Sequence, residues 1–247
     1  MKIVVVGGAG RVGRALVANV REHGHEVVVA DVTTGFDTIA GTGLDEALDG
    51  ATATVDVTNS PDMAEGPATE FFRTSVRNLL AAESKAGVRH HVLLSIVGVD
   101  RPHDLGYYRA KVAQEHAVRD GDVPYTIVRS TQFFDFLALL VGDGAPGEPV
   151  RLPGTMVQPI AVPDLVDLLT TIVSEPPVED VVEVAGPEAM GLDEFARRLL
   201  AARGDERAVV TDPSVAPFFG VPLSERLLLP GSGARLGRTR LTDWVTS

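Results

Sequence analysis

Residues Ile3 to Val6 form an unbroken β-branched run, with no alternation of apolar and polar positions. Such a run predicts a strand buried on both faces, as in a parallel sheet. Ala15, Leu16, Val17 and Val20 then recur at helical spacing. Further strands are expected at Glu26–Ala30, 51–57, 91–94 and 125–128, and a last one at 181–184. Between them the periodicity predicts helices over 44–48, 71–86 and 107–118, with Gly87 as a helix stop. Alternation of this kind implies a right-handed, doubly wound parallel sheet, an α/β Rossmann-like fold.

After about residue 130 the pattern loosens. Residues 142–149 read as turns, 161–174 and 192–202 as helices, and 213–233 as a Pro- and Gly-rich stretch with Phe218, Phe219 and Leu227 to Leu229. No repeat or low-complexity linker divides the chain. The expectation is one domain over 1–247, with a dinucleotide-binding core over about 1–130 and a small C-terminal substrate cap over about 131–247.

Between the first strand and helix lies Gly7-Gly8-Ala9-Gly10-Arg11-Val12-Gly13. Its G-x-x-G-x-x-G spacing is a variant of the dinucleotide fingerprint, and strand before and helix after supply the required context. Gly7 can make the sharp turn, Gly10 lets the backbone approach a pyrophosphate, and Gly13 lets the helix pack tightly. The N–H groups at the helix start, from Arg11 and Val12 onward, face the phosphates. Asp31 closes the second strand 18 residues after Gly13, near the roughly 20 expected of an acid that reads the adenosine ribose. A carboxylate there suits NAD and repels the 2′-phosphate of NADP. Arg11, Thr33 and Thr34 could instead meet that phosphate, so NADP stays open beside NAD.

Composition narrows the remaining classes. The 247 residues carry 34 acidic and 22 basic side chains, a net charge of −12. That surface disfavours nucleic acid and anionic membrane as partners. No apolar run reaches membrane-span length, and the chain reads as cytoplasmic. Cysteine is absent, so disulfides, thiolate metal sites and a cysteine nucleophile are excluded. The six histidines show no metal-ligand spacing; His90 and His91, adjacent on a strand, face opposite ways. No metal is expected.

The candidate chemistry is Ser95, Tyr107 and Lys111, spaced Ser-x11-Tyr-x3-Lys. Tyr107 and Lys111 share one helix face. The lysine cation is expected to lower the tyrosine pKa and to hold the nicotinamide ribose, and Ser95, at the strand exit, to orient a substrate carbonyl. Phe133, Phe134 and Phe136 read either as pocket lining or as core, Gln132 as a contact to cofactor or substrate, and Trp244 as a packing anchor.

These features resemble an atypical short-chain dehydrogenase/reductase of the NmrA-like, NAD(P)-binding type over nearly the whole chain. The resemblance rests on the glycine cradle, Asn78 to Ala82 with Gly87-Val88, Leu94-Ser95, Tyr107 to Lys111, Pro124 to Arg129 and Pro159 to Asp164. It implies a bound dinucleotide, with Tyr107 and Lys111 in the catalytic pair's positions and Ser95 in the serine's. Related NADP-using members often carry arginine or a small hydroxyl residue where Asp31 stands. Two functions follow: an oxidoreductase passing hydride between nicotinamide and a small carbonyl, quinone or alcohol, or a redox sensor that reads the dinucleotide without turnover. A nucleotide-sugar epimerase is disfavoured by length. A homo-oligomer is possible, since such enzymes assemble through ordinary-looking helix faces.

Overall fold

The computed structural model describes residues 1–142 and 147–246. Its main feature is a seven-stranded sheet. The strands are β1 (Lys2–Val6), β2 (Glu26–Ala30), β3 (Ala53–Asp56), β4 (His91–Ile96), β5 (Tyr125–Ser130), β8 (Val181–Ala185) and β11 (Arg235–Leu236). They lie in the order β11-β8-β5-β4-β3-β1-β2. The pairings of β1 with β2 and β3, of β3 with β4, and of β8 with β11 are parallel. The helices are α1 (Arg11–Glu22), α2 (Leu44–Leu48), α3 (Glu65–Ala86), α4 (Gly106–Arg119), α5 (Phe134–Val141), α6 (Val162–Ser174), α7 (Leu192–Arg203) and α8 (Leu241–Trp244). This is the Rossmann-like α/β fold expected from the sequence. The remaining strands are β6 (Val150–Leu152), β7 (Met156–Val157), β9 (Met190–Gly191) and β10 (Val209–Thr211).

The chain forms two compact units. The first holds Met1–Val99, Gly106–Arg129 and Val166–Val182; the second holds Asp100–Leu105, Ser130–Leu165 and Glu183–Ser247. In the first unit the β-branched runs do what their lack of alternation predicts. Val4, Val6, Leu93 and Ile127 from the strands meet Val76, Leu79 and Val118 from α3 and α4 in one buried cluster. α3 ends on Gly87 at φ +73°, a left-handed residue whose N–H returns to the helix carbonyls.

Beside this apolar cluster lies a layer of buried polar groups. Asp56, Glu83, His91, Gln114 and Glu115 are all fully buried. Arg129 grips Glu115 with two bonds, Nε to Oε1 at 2.8 Å and Nη2 to Oε2 at 2.6 Å. Arg119 adds a longer contact to Oε2 at 3.6 Å. His91 Nδ1 lies 3.0 Å from both Glu83 oxygens, and Thr54 donates to Glu83 at 2.7 Å.

In the second unit Phe134 stacks between Phe195 and Trp244, at 6.3 and 5.3 Å between ring centres. Trp244 is thus the packing anchor expected of it. Asp164 ties down the C-terminal segment: Oδ2 accepts the Arg238 and Thr239 N–H groups, and Oδ1 accepts the Thr239 hydroxyl. Arg101 donates to the carbonyls of Arg226, Leu227 and Leu229.

Several boundaries differ from the sequence expectation. The third strand is shorter than 51–57. α3 starts at Glu65, not 71, because Gly66 and Pro67 read as loop residues, although proline is tolerated in a first helical turn. Phe134 and Phe136 belong to helix α5, which the sequence did not announce; its eight residues are too uniformly apolar to show a helical period. The strand at 181 is not the last, since β9, β10 and β11 follow, each only two or three residues long. Of the expected turn-rich stretch 142–149, residues 143–146 lie outside the described residues. Among the described residues no helix is long and apolar enough to cross a membrane.

The buried Arg129–Glu115 pair yields a test. Arg129→Met strands a buried carboxylate and should cost about 3–5 kcal/mol in urea unfolding, whereas replacing both partners by apolar residues should recover most of it. A double-variant loss equal to the sum of the losses in Arg129→Met and the matching Glu115 single variant would show that the pair is not coupled.

Candidate active site

The first unit builds the glycine cradle as the spacing requires. Gly7 leaves β1 at φ +79°, where a side chain is strained. A Cβ on Gly13 would lie 2.2 Å from the Gly7 carbonyl oxygen, so α1 is pressed onto the turn at a distance only glycine permits. Gly8, which the spacing did not single out, is also confined, with a Cβ there 2.9 Å from both a Val29 methyl and the Val5 carbonyl oxygen. Gly10 is the N-cap of α1, with no side-chain cap and no acid in the first turn. The helix start, with Arg11 exposed and Val12 half-buried, therefore presents backbone N–H groups with no acidic residue in the helix's own first turn. These features fit a dinucleotide pyrophosphate.

Asp31 follows β2 and caps a 3-10 turn, Val32–Thr34. Its Oδ1 accepts the Thr33 N–H at 3.0 Å and the Thr33 hydroxyl at 2.9 Å. The Thr34 hydroxyl lies between the carbonyls of Val29 and Asp31, at 3.1 and 2.8 Å. Both threonine hydroxyls are thus engaged inside the turn that carries the carboxylate.

α4 carries Tyr107 and Lys111 one turn apart, both buried. Phe72 of α3 touches both: its ring centre is 6.1 Å from that of Tyr107 and 4.9 Å from Lys111 Nζ. Lys111 donates to the Leu94 carbonyl at 2.9 Å and to Gln114 Oε1 at 2.5 Å. Tyr107 donates its hydroxyl to Asn59 Oδ1.

Ser95 stands near the C-terminal end of β4, as its penultimate residue, but still inside the sheet. It is 2% exposed, and its hydroxyl donates to Glu115 Oε1 at 2.6 Å. The structure therefore brings Ser95 to the Glu115–Arg129 pair and, through the neighbouring Leu94 carbonyl, near Lys111.

Electrostatics also depart from the simple expectation for the pair. Burial pushes the Tyr107 hydroxyl up to about 12, rather than the lysine lowering it. Burial brings Lys111 down to about 8, against the opposing pull of Asp56 and Glu115. In a medium of low dielectric each group is driven toward its neutral form. At neutral pH Tyr107 is a phenol with a proton to give.

The sequence reading missed the segment 56–59. Asp56 ends β3; its Oδ1 accepts the Thr58 N–H at 2.8 Å and its Oδ2 faces Gln114 Nε2 at 3.4 Å. Thr58 in turn backs onto the cradle, since a Cβ on Gly7 would lie 3.1 Å from the Thr58 nitrogen. Asn59 meets Tyr107. This short segment thus backs onto the cradle, meets Tyr107 directly and reaches Lys111 through Gln114. The available signal was a strand-end carboxylate followed by Thr-Asn, a common loop composition.

In the second unit Arg101, Pro102, Ser224, Arg226, Leu227, Leu229 and Pro230 line an open groove of about 500 Å³. Gln132 is buried, Phe133 half-buried and Phe136 37% exposed. Among the described residues no cluster of three or more metal-ligating side chains occurs.

The phenol's environment can be read by ultraviolet titration. The wild-type minus Tyr107→Phe difference spectrum should show phenolate only near pH 12; ionisation near the ordinary value of about 10 would show that burial does not control this hydroxyl.

Comparison with known proteins places these features. The sequence pattern of a family described as NAD(P)H-binding matches residues 7–138, which span the cradle, β3's end and the whole of α4. The (4-alkanoyl-5-oxo-2,5-dihydrofuran-3-yl)methyl phosphate reductase of Streptomyces griseus subsp. griseus is 32% identical over 144 residues, covering 53% of this chain and 48% of that one. The chain thus spans about half the length of this curated relative. A nucleoside-diphosphate-sugar epimerase of Staphylococcus aureus has a similar fold, with a TM-score of 0.75, 17% identity and full coverage of both chains. The UDP-glucose 4-epimerase of Thermus thermophilus, in complex with NAD, aligns at a TM-score of 0.70 and 18% identity, over 86% of each chain.

Proposed function

Because the chain belongs to the NAD(P)H-binding family, we propose that it is an NAD(P)-dependent oxidoreductase of the atypical, NmrA-like short-chain dehydrogenase/reductase type, acting on a small carbonyl, quinone or alcohol. NAD(P) is its cofactor. Gly7, Gly10, Arg11, Val12 and Gly13 would hold the pyrophosphate, Asp31 the adenosine ribose, and Lys111 the nicotinamide ribose. Asp31 supports NAD over NADP, because Thr33 and Thr34 are spent on the turn around its carboxylate and a second anion beside it is repelled.

One observation carries the reading: the segment 56–59 ties the cradle to Tyr107 and, through Gln114, to Lys111 within one compact unit. When bound, the reduced nicotinamide supplies hydride. Tyr107 then donates its proton to the substrate oxygen, which becomes far more basic than a phenolate as the carbonyl is reduced. Asn59 holds the hydroxyl until substrate displaces it, and Lys111 stabilises the phenolate that remains. A phenol held at about 12 is a poor base at neutral pH, so reduction is favoured over alcohol oxidation. The similarity to a named reductase is consistent with that direction. Ser95, turned toward Glu115, supports this chemistry as part of the wall behind Lys111.

The same Ser95 geometry favours a second reading. A serine committed to a buried carboxylate does not orient a carbonyl, and a dinucleotide sensor needs only the cradle.

Fluorescence titration with NADH and NADPH comes first, and should show tighter NADH binding. Gly13→Ala should weaken it at least tenfold, because the new methyl group pushes α1 off the turn. A carbonyl and quinone screen should then yield a substrate whose turnover falls 10²–10⁴-fold in Tyr107→Phe, the ordinary range for a lost general acid, with NADH affinity retained. Binding without turnover across the screen would favour the sensor; no binding of either dinucleotide would overturn both readings.

A further inference from the structure

Lys111 is a buried ammonium, 3% exposed, on an element with little charge to support it. Its three N–H directions meet the Leu94 carbonyl, Gln114 Oε1 and the Phe72 ring. All three are neutral groups. The charges acting on it are Asp56 from β3 and Glu115 from its own helix. Glu115 is already shared among Arg129, Arg119 and Ser95. On β4, His91 is engaged with Glu83 of α3. On α4, Tyr107 is turned to Asn59. Asp56 has no arginine: its described partners are the Thr58 N–H and the Gln114 side-chain amide. Gln114 therefore stands between them with its oxygen on the lysine and its NH₂ on the carboxylate, the one orientation that satisfies both charges.

We propose that Asp56 is a positioning residue that acts through Gln114 to keep Lys111 an ammonium and to aim it. This deepens the oxidoreductase reading and rests on it for what the lysine does. A buried cation without a counter-charge sheds its proton rather than stay charged in a medium of low dielectric. Bridging through an amide, rather than direct pairing, leaves the lysine charge less neutralised and its head free to turn toward a ribose. Asp56 also fixes Thr58 behind the cradle, so one carboxylate sets both the pyrophosphate turn and the lysine.

The chain has only three lysines, Lys2, Lys85 and Lys111. Lysine labelled with carbon-13 at Cε therefore gives three NMR signals, and Lys111→Arg identifies the third by its loss. In the wild type that signal should titrate near pH 8. Asp56→Asn keeps the acceptor for Thr58 and removes the charge; it should lower the midpoint by at least one pH unit, a tenfold loss of proton affinity. Gln114→Glu places a carboxylate directly on the lysine and should raise it. Opposite shifts from two adjacent sites are not what general loosening of the fold produces. An Asp56→Asn midpoint unchanged from wild type overturns the inference, and so do shifts of the same sign in both variants. Should Asp56→Asn not fold, an unmoved midpoint in Gln114→Glu overturns it alone.

NADH titration of the same samples separates this from the parent reading. Asp56→Asn should bind NADH like the wild type at pH 6, where the lysine is still charged, and more weakly at pH 8. Equal weakening at both pH values would reduce Asp56 to a structural role and overturn the inference. Failure of the wild type to bind NADH at any pH would instead overturn the oxidoreductase reading and leave the lysine titration to decide the role of Asp56.

Discussion

Three carboxylates, Asp56, Glu83 and Glu115, are wholly removed from water, and much of the first unit is arranged to answer them. A bare carboxylate in such surroundings is too costly to keep. Glu115 is met by the planar fork of Arg129, which reaches it from β5. Glu83 is met by Thr54 and His91, from β3 and β4. Burial opposes a charge on His91, but Glu83, by its charge and its hydrogen bond, and Asp56 carry the imidazole upward from its usual range. Each answer joins a helix to a strand. The polar layer thus fixes how α3 and α4 lie on the sheet, where an apolar contact alone would tolerate sliding.

That rigidity is passed to the candidate site. Phe72 is shared by Tyr107 and Lys111, so any shift of α3 against α4 moves both. The low dielectric that makes the layer exacting also keeps the phenol protonated and loosens the lysine's hold on its proton. Both tendencies have one cause, and of these two groups only the lysine also feels the buried acids. An acid–base pair of this sort is set less by the two residues themselves than by what lies behind them.

Much of this was legible in the sequence, and the reason is local. The β-branched runs at Ile3 to Val6 and Val27 to Val29 have no polar interruption, and Gly7 to Gly13 sits directly between strand and helix, so cradle and neighbouring elements could be read together. Tyr107 and Lys111 could be paired because four residues make one helical turn. Other contacts have no local signature. Nothing near Ser95 reveals that its partner is Glu115, twenty residues on and across a helix–strand interface. Nothing near Asp56 points to Gln114, 58 residues away. Asn59 looked like a loop residue, which it also is. The short strands of the second unit gain their form from partners far along the chain, not from propensity.

Arg101 extends that last point into time. Its guanidinium bonds to the carbonyls of Arg226, Leu227 and Leu229, which follow it by 125, 126 and 128 positions. At a synthesis rate of roughly 5–20 residues per second, those acceptors leave the ribosome roughly 6–25 seconds after the arginine does. For that interval Arg101 lacks these three acceptors, while β1 to β4, α3 and α4 have one another. The order of birth therefore puts the dinucleotide cradle and its helix pair first, and the second unit closes only when its final strand arrives.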